Sequence, residues 1–316
     1  MEKNLVVKIA NGFGNQMFLY AAAYAFSKKL GYKLLIDDET GIIHDLGKAK
    51  KRSRANWEPK YELNIFNLSS EVVEKKYKFL KKSSHTKRKF LKFIDSFSSK
   101  KNFLLEKMNR DKKTFYSDHY FKQKYSNTIF FEGYFESEKY FKEYREDLLS
   151  EFSFKTSLNL NNNIYKKMID NSNVVSIAFR SRRFTETERD FKNKNMQIKT
   201  EKFENDSIKY IYRAIEFFKS KIPNPKFLIW SNDFENLEKY FDPNLFIFVK
   251  NNQNDKIILD FSLMRQCKYF IVGSTSFHWW PAWLCNFENK IIVCPKDETL
   301  NTSCNFDLWP DSWIKI

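Results

Sequence analysis

The sequence predicts an α/β protein built from two domains, each a parallel sheet covered by helices, facing each other across a cleft. Three observations carry this expectation. The amino-terminal stretch VVKIANGFGNQMFLYAAAYAFSKKLGYKLLID reads as strand, glycine turn, helix over about residues 15–30 and a second strand at 33–36. The later half holds five continuous apolar runs, VVSIAF, KFLIWS, LFIFVK, YFIVGS and IIVCP, separated by helical patterns such as 204–221 and 255–267. Continuous apolar runs alternating with helices are the mark of parallel strands buried on both faces. Between the halves, the polar SLNLNNN segment follows EKYFKEYREDLLSEF, which sets the expected boundary at 157/158. In such sheets ligands collect beyond the carboxyl ends of the strands, so the loops after the apolar runs are where chemistry is sought.

Composition narrows the class. With 316 residues, 42% hydrophobic and 30% charged, and with 33 Phe, 16 Tyr and 7 Trp, the chain is too aromatic to be intrinsically disordered. The longest apolar stretches, 174–179 and 269–272, fall far below the roughly 18 to 20 residues a membrane-spanning helix needs. The amino terminus reaches Asn11 and Gly12 without a signal-peptide apolar region, so a cytoplasmic chain is expected. Cys267, Cys285, Cys294 and Cys304 form no Cys-x-x-Cys pair, and reduced structural thiols are the expectation.

The net charge of +16 is concentrated. Residues 75–113 hold 15 basic and 3 acidic side chains, with Phe79, Leu80, Phe90, Leu91, Phe93, Ile94, Phe97, Leu104 and Leu105 set among the lysines. This reads as a basic amphipathic helical insertion in the first domain. It is either a solvated surface feature or a peripheral contact with an anionic membrane, which would put the protein on the inner face of the cell membrane. No RNP-like, zinc-finger or KH motif accompanies the charge, so no nucleic-acid partner is expected.

Four ordered segments carry the functional reading. Asn11-Gly12-Phe13-Gly14-Asn15-Gln16 gives a close backbone approach followed by the amides of a new helix, and Met17, Phe18 and Tyr20 follow. Arg180 ends the VVSIAF run; residues 132–141 read EGYFESEKYF, and residues 260–284 read DFSLMRQCKYFIVGSTSFHWWPAWL. Together these resemble the bacterial α-1,2-fucosyltransferases, glycosyltransferase family 11, and the last block is the most specific. The resemblance leaves mainly 75–113 uncovered. It implies a GT-B-like fold of two Rossmann-like domains, the acceptor side in 1–157 and the nucleotide-sugar side in 158–316.

The resemblance also implies roles. Arg180 would hold the donor phosphates and assist their departure, where a positioned guanidinium stabilises developing negative charge. Ser274, Thr275 and Ser276 would cradle the diphosphate, Gly14, Asn15, Gln16 and Phe277 would contact the donor, and Asp260 would read the guanine edge. Asp260 also fits a helix cap or an ion-pair partner. The sequence departs from the family's His-x-Arg-Arg-x-Asp motif: Ala178 stands at the histidine, Ser181 at the second arginine and Arg183 at the aspartate. Arg182 and Arg183 either strengthen phosphate binding or form a solvated basic loop.

An acceptor hydroxyl must lose its proton to a base. Glu186, Glu188 and Asp190 follow the arginine loop, and Glu188 lies eight residues after Arg180, a spacing that resembles that of the proposed base in related α-1,6 fucosyltransferases. His278 is a rival, although its neighbours Trp279 and Trp280 suggest a packed residue. With no Asp-x-Asp triad in sight, a metal-independent enzyme without cofactor is expected. The implied activity is inverting transfer of fucose from GDP-fucose to a hydroxyl, galactose being the expected acceptor, on an oligosaccharide or lipid-linked surface glycan such as lipopolysaccharide or capsule. A different nucleotide sugar is the alternative raised by Ala178, and an inactive glycan-binding relative is the one raised by Arg183 at the aspartate position.

Overall fold

The computed structural model describes residues 2–52, 58–80, 82–156, 158, 160, 163–250 and 257–316, with the side chains at 47–52, 82, 83, 85, 188 and 257 outside that description. The chain forms two compact units, one ending at Thr156 and taking in Ser303–Pro310, the other comprising Ser157–Thr302 and Asp311–Ile316. In the first unit the elements are β1 (Asn4–Lys8), α1 (Phe13–Leu30), β2 (Lys33–Asp37), α2 (Thr40–Arg52), β3 (Glu71–Val72), α3 (Lys82–Phe97), β4 (Lys101–Leu105), α4 (His119–Lys122), β5 (Tyr125–Glu132) and α5 (Arg145–Glu151). The five strands lie in the order β3-β2-β1-β5-β4, all parallel, with Val6 opposite both Leu35 and Phe130.

Helix α1 is apolar on every side, and nearly all of Phe13 to Ser27 is buried, as expected of a helix without a polar face. Gly31 ends it at φ 69°, a left-handed conformation that glycine takes without strain. The phenylalanines of this unit condense around it: Phe26 stacks on Phe121 at 4.1 Å between ring centroids and meets Phe131 at 5.3 Å.

The basic stretch departs from the expected helical insertion. Only Lys82–Phe97 is α-helical, and Lys101–Leu105 is the edge strand β4 of the sheet. Asp95 makes the change of direction, because its carboxylate accepts from the Asn102 amide (2.6 Å), the Asn102 side chain (2.9 Å) and the Phe103 amide (3.1 Å). Residues 303–310, expected in the second domain, pack in the first unit. There the Thr114 amide donates to the Cys304 carbonyl at 2.7 Å, Phe115 stacks on Phe306 at 4.7 Å, and Lys139 pairs with Asp307.

At the carboxyl ends of β1 and β5, the buried Glu132 receives Lys8 (2.6 Å), Lys92 (2.8 Å) and both Nε (2.9 Å) and Nη2 (2.6 Å) of Arg88. Burial alone would raise the Glu132 carboxyl. The charges of Lys8, Arg88 and Lys92 outweigh that effect and hold it down to about 2.

The second unit holds α6 (Ile164–Asn171), β6 (Val174–Phe179), α7 (Glu188–Phe191), α8 (Lys194–Lys221), β7 (Lys226–Ser231), β8 (Phe246–Phe248), α9 (Ile257–Met264), β9 (Tyr269–Ile271), α10 (Ser276–Leu284), β10 (Ile291–Cys294) and β11 (Ile314–Lys315). All five apolar runs are strands, in a parallel sheet of order β11-β10-β9-β6-β7-β8. All six residues of β6 are buried, as a strand covered on both faces requires. Tyr210 of α8 donates within reach of the Val272 (3.1 Å) and Val293 (2.9 Å) carbonyls, tying its helix to the ends of β9 and β10. The cysteines are free, and Cys267, Cys285 and Cys294 are buried.

Glu132→Gln removes the counter-charge of three cations, and leaving buried Arg88 uncompensated costs about 3 to 5 kcal/mol in thermal or urea unfolding. Because the folded carboxyl lies below its usual 4.5, the stability it supplies is complete above that pH and is lost as pH falls toward 2. The variant therefore loses that segment of the acid-unfolding profile.

Candidate functional site

The second sheet reverses its strand order between β6 and β9: β7 and β8 lie beyond one, β10 and β11 beyond the other. Such a switch point opens a crevice at the carboxyl ends of its two central strands. Arg180 follows β6 there, and Gly273 and Ser274 follow β9. A Cβ on Gly273 would lie 2.8 Å from the Ala178 carbonyl oxygen, so the approach of the two strand ends requires glycine. Arg180 and Ser274 line the same pocket, with Ala178, Gly273 and Tyr210.

The arginine loop sorts its side chains by backbone conformation. Arg182 sits at φ 55°, and the tight turn this makes sends it outward to Asp233 (2.9 Å) and Glu235. Ser181, at the position of the family's second arginine, is bracketed by Asn232, whose amide accepts from the Ser181 N–H (2.9 Å) and donates to its carbonyl (3.1 Å). Arg183, at the aspartate position, turns back, and its Nε donates to Thr302 Oγ1 at 3.0 Å. Arg180 pairs with Glu186 at 2.5 Å, and Arg183 lies 3.7 Å from the same carboxylate. Two guanidiniums thus approach one acid, while Glu204 accepts from the Ser181 hydroxyl (3.2 Å) and the Arg182 N–H (2.7 Å) in the same loop. The Nε of Arg180 is buried and has no hydrogen-bond partner among the described residues, a donor with capacity to spare.

The turn after β9 is held by its own hydroxyls. Ser274 Oγ accepts from the Thr302 amide at 2.7 Å and lies 3.0 Å from Thr302 Oγ1. Thr275 caps α10, accepting from the His278 amide at 3.2 Å and pairing with His278 Nδ1 at 2.7 Å. Ser276 and Phe277 open α10, so this positive helix end begins beside Arg180's pocket. Trp279 and Trp280 are fully buried and Trp283 nearly so, stacked in the core. Thr302 and Asn232 have no signature in the sequence as binding residues. Asn232, directly beyond the KFLIWS run, was accessible through its strand-end position, whereas Thr302 reaches the turn only through tertiary contact.

The other expected residues are distributed as follows. Asp260 lies in α9; its neighbour Phe261 meets Phe277 at 5.7 Å, and its charge adds to the burial that raises the Tyr165 phenol. The side chain of Glu188 lies outside the described residues. Asp190 accepts from Thr187 Oγ1 at 2.7 Å in the first turn of α7. In the first unit, Gly14 and Asn15 open α1, and Asn15 donates to Glu136 at 3.0 Å. Gln16 is a buried clamp: its amide donates to the Asn11 (2.9 Å) and Lys60 (2.7 Å) carbonyls and accepts from the Glu62 N–H (2.9 Å). Both of its protons are therefore committed to the fold. Among the described residues, no group of three or more His, Cys, Asp or Glu could hold a metal ion.

Burial, and then the adjacent Arg180 charge, lower His278 to about 3. Its ring signals in NMR should show the neutral imidazole from pH 8 down to about pH 4. Since an unfolded histidine protonates near 6.5, this residue makes the fold less stable as pH falls below that value.

Residues 77–304 match the glycosyl transferase family 11 profile. The match takes in most of the basic stretch that the sequence resemblance left uncovered, and starts after the glycine turn. Two Escherichia coli proteins are similar over nearly the whole chain. The O-antigen biosynthesis glycosyltransferase WbnK is 27% identical over 98% of this chain and 99% of its own. An alpha-1,2-colitosyltransferase is 27% identical over 99% of this chain and 98% of its own. The crystal structure of fucosyltransferase NodZ from Bradyrhizobium resembles this one with a TM-score of 0.50 at 11% identity, covering 89% of this chain and 92% of that one. That likeness concerns the fold, which with its two parallel sheets is GT-B-like as expected. The family match covers well over half of the sequence, and the chain is a glycosyltransferase belonging to glycosyl transferase family 11.

Proposed function

We propose that this glycosyltransferase moves fucose from GDP-fucose, in an α-1,2 linkage, to a hydroxyl of a surface polysaccharide, galactose being the expected acceptor. The observation that carries the reading is the pair Arg180 and Arg183 at the β6/β9 switch point, with the unpartnered Nε of Arg180 beside the Ser274 turn. A nucleoside diphosphate leaving group gathers negative charge as its bond to the sugar breaks, and two guanidiniums with a helix amino terminus stabilise that charge without a metal. Glu186 holds Arg180 in place and yields to the donor's phosphates. The similarity to WbnK supports a role in O-antigen biosynthesis.

In this reading the acceptor oxygen attacks the anomeric carbon, the bond from that carbon to the diphosphate oxygen breaks, and GDP leaves with the electron pair. The acceptor proton passes to Glu188. His278 is unsuited to that task, since burial and the Arg180 charge lower it to about 3 and leave it too weak a base. A second donor is favoured by one observation: Ala178 stands where the family has a histidine, and one relative is named for transferring colitose. A different nucleotide sugar, colitose being one candidate for its sugar, is then the alternative donor.

Calorimetry with GDP, UDP and CDP, followed by turnover with a panel of nucleotide sugars, tests the reading. GDP should bind, and Arg180→Ala should weaken it about 10- to 100-fold, the value of a charge-assisted contact, while the outward-facing Arg182→Ala changes it less than about twofold. Glu188→Gln should lower kcat with GDP affinity unchanged. Turnover with a UDP or CDP sugar and none with a GDP sugar would overturn the donor, and equal loss in both arginine variants would overturn the site.

A further inference from the structure

Helix α3 is amphipathic in the reverse sense. Its inward face is charged: Arg88 and Lys92 bind Glu132, and Asp95 caps the turn into β4. Its outward face is apolar, with Phe90, Phe93, Ile94 and Phe97 exposed by 61, 63, 50 and 78%. These four follow the i, i+3, i+4, i+7 spacing that makes one continuous stripe, and the Phe93 and Phe97 rings pack edge to face at 5.3 Å. The rotation of the helix is fixed from within, because turning the stripe inward would expose Arg88 and Asp95 and break their buried bonds. A contiguous exposed stripe of this kind marks a contact surface.

We infer that α3 docks this protein on an anionic lipid bilayer, with the four apolar side chains entering the headgroup boundary. Charge selects the occupant. Lys87 and Lys89 are exposed one turn before Phe90 and Phe93, and the segment 75–113 carries 15 basic residues against 3 acidic ones. Aromatic and aliphatic side chains flanked by lysines match the boundary between acyl chains and anionic headgroups. A second copy of this chain would bring one lysine-rich segment against another, which like charge opposes. No helix among the described residues is long and apolar enough to cross a membrane, so the contact is peripheral. The inference is independent of which sugar the enzyme transfers.

The test is sedimentation of the whole protein with phosphatidylcholine vesicles, with and without about 30% phosphatidylglycerol, at about 0.05 and 0.5 M salt. Retention by anionic vesicles, weakened by salt and at least about tenfold lower on neutral vesicles, is expected. The paired exposed substitutions Phe93→Ser and Phe97→Ser should lower partitioning about tenfold or more, as should Lys87→Glu with Lys89→Glu. Both variants should keep the turnover of a soluble acceptor and the unfolding midpoint of the parent. The inference is overturned if anionic vesicles fail to retain the protein, or if the Phe variant is retained like the parent. A concentration-dependent dimer lost in the Phe variant, or single-stranded oligonucleotide binding, in place of vesicle retention would also overturn it.

Discussion

The approach of the β9 end to the Ala178 carbonyl is the constraint on which the candidate site depends. Gly273 has no Cβ to collide with that oxygen, so the turn after β9 lies directly beside the residue after β6. Neighbouring parallel strands end together at a place where the sheet order reverses, and the loops that follow diverge and leave space. The fold lines that space with Arg180 and Ser274, and Arg183 meets Glu186, the carboxylate that Arg180 pairs with. The chemistry is therefore a property of the sheet's connectivity, and the side chains refine it.

The first unit solves a different problem with similar parts. Its carboxyl strand ends hold Glu132 under three cations, with aromatic rings around Arg88; the Phe79 centroid is 4.4 Å from its guanidinium carbon. This buried charge is satisfied on the carboxylate side, and its effect is to orient a helix. Here an ion cluster fixes which way α3 faces, and in the second unit Arg180 and Arg183 converge on Glu186.

Much of the fold was legible because burial on two faces writes itself plainly: VVSIAF, KFLIWS, LFIFVK, YFIVGS and IIVCP each became a parallel strand. The pairing of Arg180 with the Ser274 turn was legible too, through the motifs and their place after strands. Three features were not. Which arginine turns back to Thr302 depends on the φ of Arg182, and residue order alone could not distinguish 182 from 183. The commitment of Gln16 to the 60–62 segment, and of Thr302 to Ser274, are contacts between distant residues that leave no local pattern. In 75–113, periodicity revealed an amphipathic helix but carried no information on which face was inward. That was decided by Glu132 and by β4, and lysine-rich composition masked the strand. The Glu188 side chain, expected as the base, lies outside the described residues.

His278 has a consequence that reaches past its own ring. An imidazole at its ordinary pKa, set against Arg180, would gain a proton as its surroundings acidify from pH 7 to 6 and would add attraction for phosphates. Held far below that range by burial and by its neighbour, it contributes nothing variable between those values. The electrostatic field at the β6 and β9 ends thus gains no pH-dependent contribution from this ring, a constancy obtained by silencing a titratable residue.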